Sequence, residues 1–113
     1  MVGRKKYIPQ KGDVIWLDFT PQAGREQAGR CPALVVSSGS YNKAGLMLAC
    51  PITSQKKGYP FEVPVQAGDV VGVALADHVK SQDWKARRAE YICTAEPETL
   101  SQVQRLIAAI LLQ

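Results

Sequence analysis

Histidine is nearly absent from this chain: His78 is the only one. A two-histidine acid–base pair within one chain is therefore excluded, and so is a histidine-rich zinc site. Cysteine is scarce as well. Cys31, Cys50 and Cys93 lie far apart and form no CxxC pair. Three thiols leave one over in any disulfide scheme, so they read as reduced and mostly buried residues. A Cys3His zinc site would need all of these ligands at a spacing that does not suit one. Long apolar runs are also missing, and none approaches the roughly 20 residues needed to cross a bilayer. Met1 to Gln10 is basic without the apolar stretch of a secretory signal. A cytoplasmic protein with no membrane partner is expected.

What is present is an ordinary globular balance, 46% apolar and 21% charged over 113 residues. One domain spanning residues 1–113 is expected, large enough to bury a core without disulfides or metals. Fourteen Lys and Arg against ten Asp and Glu give a net charge of +4. That permits a nucleic-acid or acidic-protein partner without demanding one.

Residues 1–11 carry Arg4, Lys5, Lys6 and Lys11 and read as a loose basic arm. Strands are predicted where β-branched and aromatic residues cluster: Asp13 to Phe19, Ala33 to Ser37, Leu46 to Pro51, Phe61 to Val65, Val70 to Ala76 and Glu90 to Thr94. Pro64 confines its strand to an edge or an end. Thr20 to Arg30 and Thr53 to Pro60 read as polar loops, and Ser38 to Gly45 as a turn. From Pro97 onward, Leu100, Val103, Leu106, Ile107, Ile110 and Leu111 form one apolar stripe on a helix of about fifteen residues. Glu96 and Glu98 suit its positive N-terminal end. The sum is a mainly β protein: a small curled sheet or partly open barrel closed by a C-terminal amphipathic helix.

Three places concentrate chemistry. In the first loop Arg25, Glu26, Gln27 and Arg30 surround Gly24 and Gly29. Two guanidiniums beside one carboxylate suit a phosphate next to a base, and equally a surface loop whose charges pair with each other. The second loop offers Thr53, Ser54, Gln55, Lys56 and Lys57. Hydroxyls and an amide can meet base edges or phosphate oxygens, and a solvated hairpin tip has the same composition. Asp77 and His78 follow an apolar strand, and Lys80, Lys85, Arg87 and Arg88 follow them, either as a basic wall or as a solvated face.

The order of these segments resembles one family. GDVIWLDFTPQAGREQAG at Gly12 to Gly29, PALVVSS at Pro32 to Ser38, CPITSQKKGYPFEV at Cys50 to Val63 and GVALADHVKSQDWKAR at Gly72 to Arg87 are together similar to the MazF/PemK toxin endoribonucleases. The likeness runs from about Tyr7 to the terminal helix. It implies an SH3-like barrel of the CcdB/PemK type, acting as a homodimer. It also implies sequence-specific cleavage of single-stranded RNA with no metal or cofactor, and a cognate antitoxin whose acidic segment covers the RNA groove. Metal-free cleavage through the 2′-OH needs a base, positive charge for the phosphorane and a proton for the 5′-oxygen. The resemblance gives Thr53 to a phosphate oxygen and Glu26 to a proton or to ordering the loop. It gives Asp77, with His78, Lys80 and the second-loop residues, to RNA binding.

One position departs from the pattern. Where the family has Arg-Pro, this chain has Cys31-Pro32. A thiol supplies no fixed positive charge. Three readings follow: a form disabled at the catalytic position, a variant in which Arg30 supplies the guanidinium, or an inactive module that binds RNA or the antitoxin. The Arg30 reading requires residue 30 to lie in the loop, because neighbours on a strand point to opposite faces.

Overall fold

The computed structural model describes residues 6–19 and 29–113. Strand β1 (Asp13–Phe19) is followed by β2 (Gly29–Val35), a short helix α1 (Gly39–Asn42), β3 (Leu46–Thr53), β4 (Glu62–Ala67) and β5 (Val70–Leu75). A 3₁₀ turn (Ala76–His78), β6 (Lys80–Asp83), β7 (Glu90–Thr94) and α2 (Pro97–Leu112) complete the order. The described strands pair in the order β4-β5-β3-β2-β1-β7, and β6 joins β3. Every pairing is antiparallel.

Alternation gives this curled sheet a core on each of its faces. Val14, Leu34 and Cys50 face one cluster with Ile52, Val63, Val65 and Ala74, which α2 closes with Leu100, Val103, Leu106 and Ile107. Their neighbours Ile15, Leu17, Ala33 and Val35 face a second cluster with Met47, Ala49 and Trp84. Both faces of the central strands are buried, so the strands read as nearly continuous apolar runs. Burial pushes the Cys50 thiol up to about 12, with the Asp77 charge adding to the effect. All three cysteines are free thiols.

Four expectations change. β2 starts at Gly29 rather than Ala33, because β1 pairs with it down to Phe19↔Gly29. β6 was not expected: its sequence KSQD is polar because only Gln82 is buried. Ser38 to Gly45 contains the one-turn helix α1, capped by the Ser38 hydroxyl. The basic arm is docked from Tyr7 onward. The Tyr7 hydroxyl and the Gln10 N–H both donate to Asp13 Oδ2, and Pro9 is buried with its carbonyl accepting from Asn42 Nδ2 at 2.8 Å. The apolar stripe of α2 is core only as far as Ile107, and Leu111 and Leu112 are exposed. Pro97 does occupy the first turn of the helix, with Glu98 beside it.

Candidate active site

A cleft of about 1270 Å³ is bordered by residues of β1, β2, β3 and β5. Thr53, Ser54, Gln55 and Lys57 from the second loop border it, as do Asp77, His78 and Lys80. Cys31 and Pro32 border it from β2. The structure therefore brings together most of the second-loop and Asp77-to-Lys80 candidates. Lys56 lies outside this lining. Arg25, Glu26 and Gln27 fall outside the described residues.

Thr53 ends β3 in register with Val73. Its Oγ1 accepts from the Gln55 N–H at 3.1 Å, which turns the chain out of the strand into the loop. The far end of that loop is tied down by Glu62, which sequence reasoning missed. Glu62 Oε1 accepts from the Gly58 N–H at 2.9 Å and Oε2 from the Lys57 N–H at 3.0 Å. Gly58 has φ +81°, and successive N–H groups at such a residue form a concave nest that holds an oxygen anion. The only signal for this in the sequence is a carboxylate four residues after a glycine in KGYPFE. On the turn, Asp77 Oδ1 stands 3.9 Å from His78 Nε2, with both side chains well exposed.

Arg30 is a correction. It lies in β2 opposite Asp18, and its Nη1 donates to Asp18 Oδ1 at 2.8 Å. Its Nη2 donates to the Arg88 carbonyl at 2.7 Å and to Glu90 Oε1 at 3.0 Å. Arg30 is absent from the cleft lining, so its guanidinium does not stand in for the one missing at position 31. Arg88 closes the same knot, donating from Nε to Asp18 Oδ2 at 2.6 Å and from Nη2 to Oδ1 at 3.2 Å. The two guanidiniums, Arg88 first, hold the Asp18 carboxyl down at about 2.

That depression has a consequence at low pH. A carboxyl whose folded pKa lies below its unfolded value of about 3.9 stabilises the fold above that value. The contribution is lost as the pH falls from about 4 to 2, and it is modest because the group is part-exposed. Asp18→Asn should therefore flatten the acid limb of stability in that window while leaving the slope above pH 5 unchanged. Urea midpoints measured at intervals from pH 2 to 6 check this. An unchanged acid limb would mean that the knot is not a stability element.

Arg87 is the second residue that sequence reasoning left out of the site, although the basic run containing it was visible. It is half-buried and borders the cleft. Three cations (Lys57, Lys80 and Arg87) and three carboxylates (Glu62, Asp69 and Asp77) line the opening. Trp16, Phe19, Tyr59 and Ile92 supply apolar wall. Cations, hydroxyls and flat rings, the residue types that can meet phosphates and bases, thus border one groove. Among the described residues, no group of three His, Cys, Asp or Glu is placed to hold a metal ion.

The architecture defines a class before any particular relative does: a mainly β half-barrel with a C-terminal helix and a cleft bordered by charged and polar residues. Residues 10–111 match the family described as PemK-like, MazF-like toxin of type II toxin-antitoxin system, and the chain belongs to that family. The endoribonuclease toxin MazF of Escherichia coli strain K12 is 48% identical over 107 residues, covering 94% of this chain and 96% of that protein. The crystal structure of MazF (Form-I) from Deinococcus radiodurans superposes with a TM-score of 0.88 at 51% identity, covering 96% of this chain and all of the other. The MazE-MazF (Form-II) structure from the same organism gives 0.85 at 52% identity, covering 94% of this chain and 97% of that one. No helix among the described residues is long and apolar enough to cross a membrane.

Proposed function

We propose that this chain is the endoribonuclease toxin of a type II toxin–antitoxin pair, a single toxin domain that acts in the cytoplasm as a homodimer. It cuts single-stranded RNA without a metal, by attack of the 2′-OH on the adjacent phosphate. The observation that carries this reading is the Thr53 hydroxyl at the end of β3, at the edge of a cleft that Lys57, Lys80 and Arg87 also border. In-line attack builds negative charge on the phosphoryl oxygens, and preorganised donors aimed there lower the barrier. Thr53 donates to one such oxygen. Lys57 and Lys80 attract the flanking phosphates, while Ser54 and Gln55 meet bases. Glu26 or Asp77 takes the 2′-OH proton. The cognate antitoxin brings an acidic segment that occupies the same groove in place of RNA. Relatives solved as MazE–MazF complexes and the net charge of +4 support that partner. Exposed Leu46, Leu48, Leu111 and Leu112 supply apolar surface for a second copy.

The test uses a long unstructured RNA in excess EDTA. Cleavage should leave a 2′,3′-cyclic phosphate and a 5′-OH. Thr53→Val, which removes one donor, should lower kcat by about 10²-fold with little change in KM. Cys31 favours a second reading, in which the chain binds RNA or its antitoxin but does not cut. That reading holds if both the parent and Cys31→Arg leave RNA intact while folded and able to bind an acidic antitoxin peptide.

A further inference from the structure

Ser54 to Pro60 are all exposed, so polar bonds rather than core packing hold the loop that brings Ser54, Gln55, Lys57 and Tyr59 to the cleft. The sheet fixes its start: Thr53 is in register with Val73, and its hydroxyl accepts from the Gln55 N–H. Glu62 fixes its end. The Glu62 main chain lies in β4 opposite Leu75, and its N–H donates to the Tyr59 carbonyl at 3.2 Å. The neighbouring Phe61 carbonyl accepts from the Ala76 N–H at 3.0 Å, at the head of the turn that carries Asp77 and His78. From this anchored position the carboxylate reaches back into the loop. Oε1 accepts from the Gly58 N–H at 2.9 Å and from the Lys57 N–H at 3.2 Å, and Oε2 accepts from the Lys57 N–H at 3.0 Å. Residues 61 and 62 thus join the two walls of the opening, and the segment from Lys57 to Glu62 closes on itself around Tyr59, which is 62% exposed.

We infer that Glu62 is a positioning residue for RNA sequence selection: by clamping the Lys57 and Gly58 N–H groups it fixes where Ser54, Gln55 and Tyr59 meet bases. This role rests on the endoribonuclease reading of the cleft. Selection among bases depends on polar groups held where the correct base pairs with them and a wrong base leaves them unpaired. An untied loop follows whichever base arrives and also loses its conformational freedom anew at each binding event, which costs affinity. Thr53 is set apart from this, because it lies in the ladder ahead of the loop. The clamp therefore governs which RNA is held more than how fast a held phosphate reacts. Charge alone gives the opposite expectation. A carboxylate beside a groove for a polyanion repels it, so its removal would tighten binding if Glu62 acted through charge. Loss of a clamp weakens binding instead. The Gly58 φ of +81° brings the two N–H groups to one oxygen, and a Cβ there meets nothing within 4 Å. Gly58→Ala therefore disturbs the clamp through the backbone conformation and not through a clash.

The experiment maps every cut in one long unstructured RNA, in excess EDTA, for the full chain and its Cys31→Arg form, each with and without changes at the clamp. In whichever background cleaves, Glu62→Ala should raise KM about tenfold, as expected for lost hydrogen bonds to a charged group, with kcat within about threefold of its background. New cuts should appear at sequences that the intact clamp leaves alone. Glu62→Gln should recover most of the KM and the original cut pattern, because its one carbonyl oxygen can take the place of Oε1 and accept from both N–H groups. Gly58→Ala should reproduce the Glu62→Ala pattern, and combining the two should add less than about twofold, since both break one clamp. A merely structural brace would lower the urea midpoint without moving the KM or the cut sites of folded protein, and that result overturns the inference. A fall in KM in both Glu62→Ala and Glu62→Gln overturns it too, because charge would then be the cause. Fluorescence anisotropy of a labelled 2′-O-methyl RNA of mixed sequence, which has no 2′-OH to attack, reads binding without cleavage. Its Kd should rise about tenfold in Glu62→Ala and much less in Glu62→Gln. An unchanged Kd in Glu62→Ala overturns the inference while leaving the endoribonuclease reading standing. Silence of both backgrounds on the cleavable RNA, with Kd shifting as expected, removes the endoribonuclease reading and leaves Glu62 as a determinant of RNA binding.

Discussion

Gly72→Ala should abolish most RNA cleavage and destabilise the fold by roughly 3 kcal/mol, the upper end of what overpacking a well-filled site usually costs. Gly72 sits in β5 opposite Val65. A Cβ there would stand 2.4 Å from the Thr53 carbonyl oxygen and 2.9 Å from the Thr53 carbonyl carbon. Both obstacles are backbone, so no side chain can swing away. β5 is held on its other edge by six register pairs with β4, while Ile52↔Ala74 and Thr53↔Val73 are its register pairs with β3. The weak seam opens first, and Thr53 stands at it. A glycine inside a strand often marks close approach of another backbone, and here the backbone belongs to the residue that anchors the second loop. Urea midpoints give the stability loss, and kcat on unstructured RNA gives the functional one. If Gly72→Ala retains parent activity, Thr53 is not positioned by this contact.

The pattern of what was readable in advance follows from the same physics. β1, β3 and α2 were visible because short apolar runs and a helical stripe mark segments that meet a core. β6 was invisible because Leu46 to Ala49 pair with it while its own side chains, apart from Gln82, face solvent. A polar edge strand has no period to read. The start of β2 was misplaced because Pro32 lacks an N–H donor and reads as a strand boundary, yet Pro32 sits in register with Trp16 inside the ladder. The second-loop residues were legible as types, and the structure puts most of them at one opening. The roles of Glu62 and Arg87 were not legible, since each depends on a partner that only folding supplies: two loop N–H groups for one, the Asp18 carbonyl for the other. Arg30 shows the converse. Its residue type suited the cleft, and the register with Asp18 took it elsewhere.

Trp84→Ala should destabilise the fold by about 3–5 kcal/mol, against a total stability of about 5–15 kcal/mol for a domain of this size. Trp84 is buried in the second cluster and joins three parts of the fold. Its Nε1 donates to the Asn42 carbonyl at 2.6 Å, which ties the segment after β6 to α1. Asn42 is itself buried, and its Nδ2 donates to the Pro9 and Ser37 carbonyls. Loss of the indole does not orphan the Asn42 carbonyl, because the Gly45 N–H also donates to it at 2.9 Å. The cost is therefore mostly cavity and lost contact, and Trp84→Phe, which keeps a ring but no donor, should lose only about 1–2 kcal/mol. The turn after β6 keeps its own main-chain bonds without the indole: the Trp84 carbonyl accepts from the Ala89 N–H at 2.9 Å, and the Arg87 N–H donates to the Asp83 carbonyl at 3.0 Å. What the indole adds is volume in the second cluster and the tie to α1. Urea midpoints of the two variants check this, and equal losses in Trp84→Ala and Trp84→Phe would mean that the donor rather than the ring carries the stability.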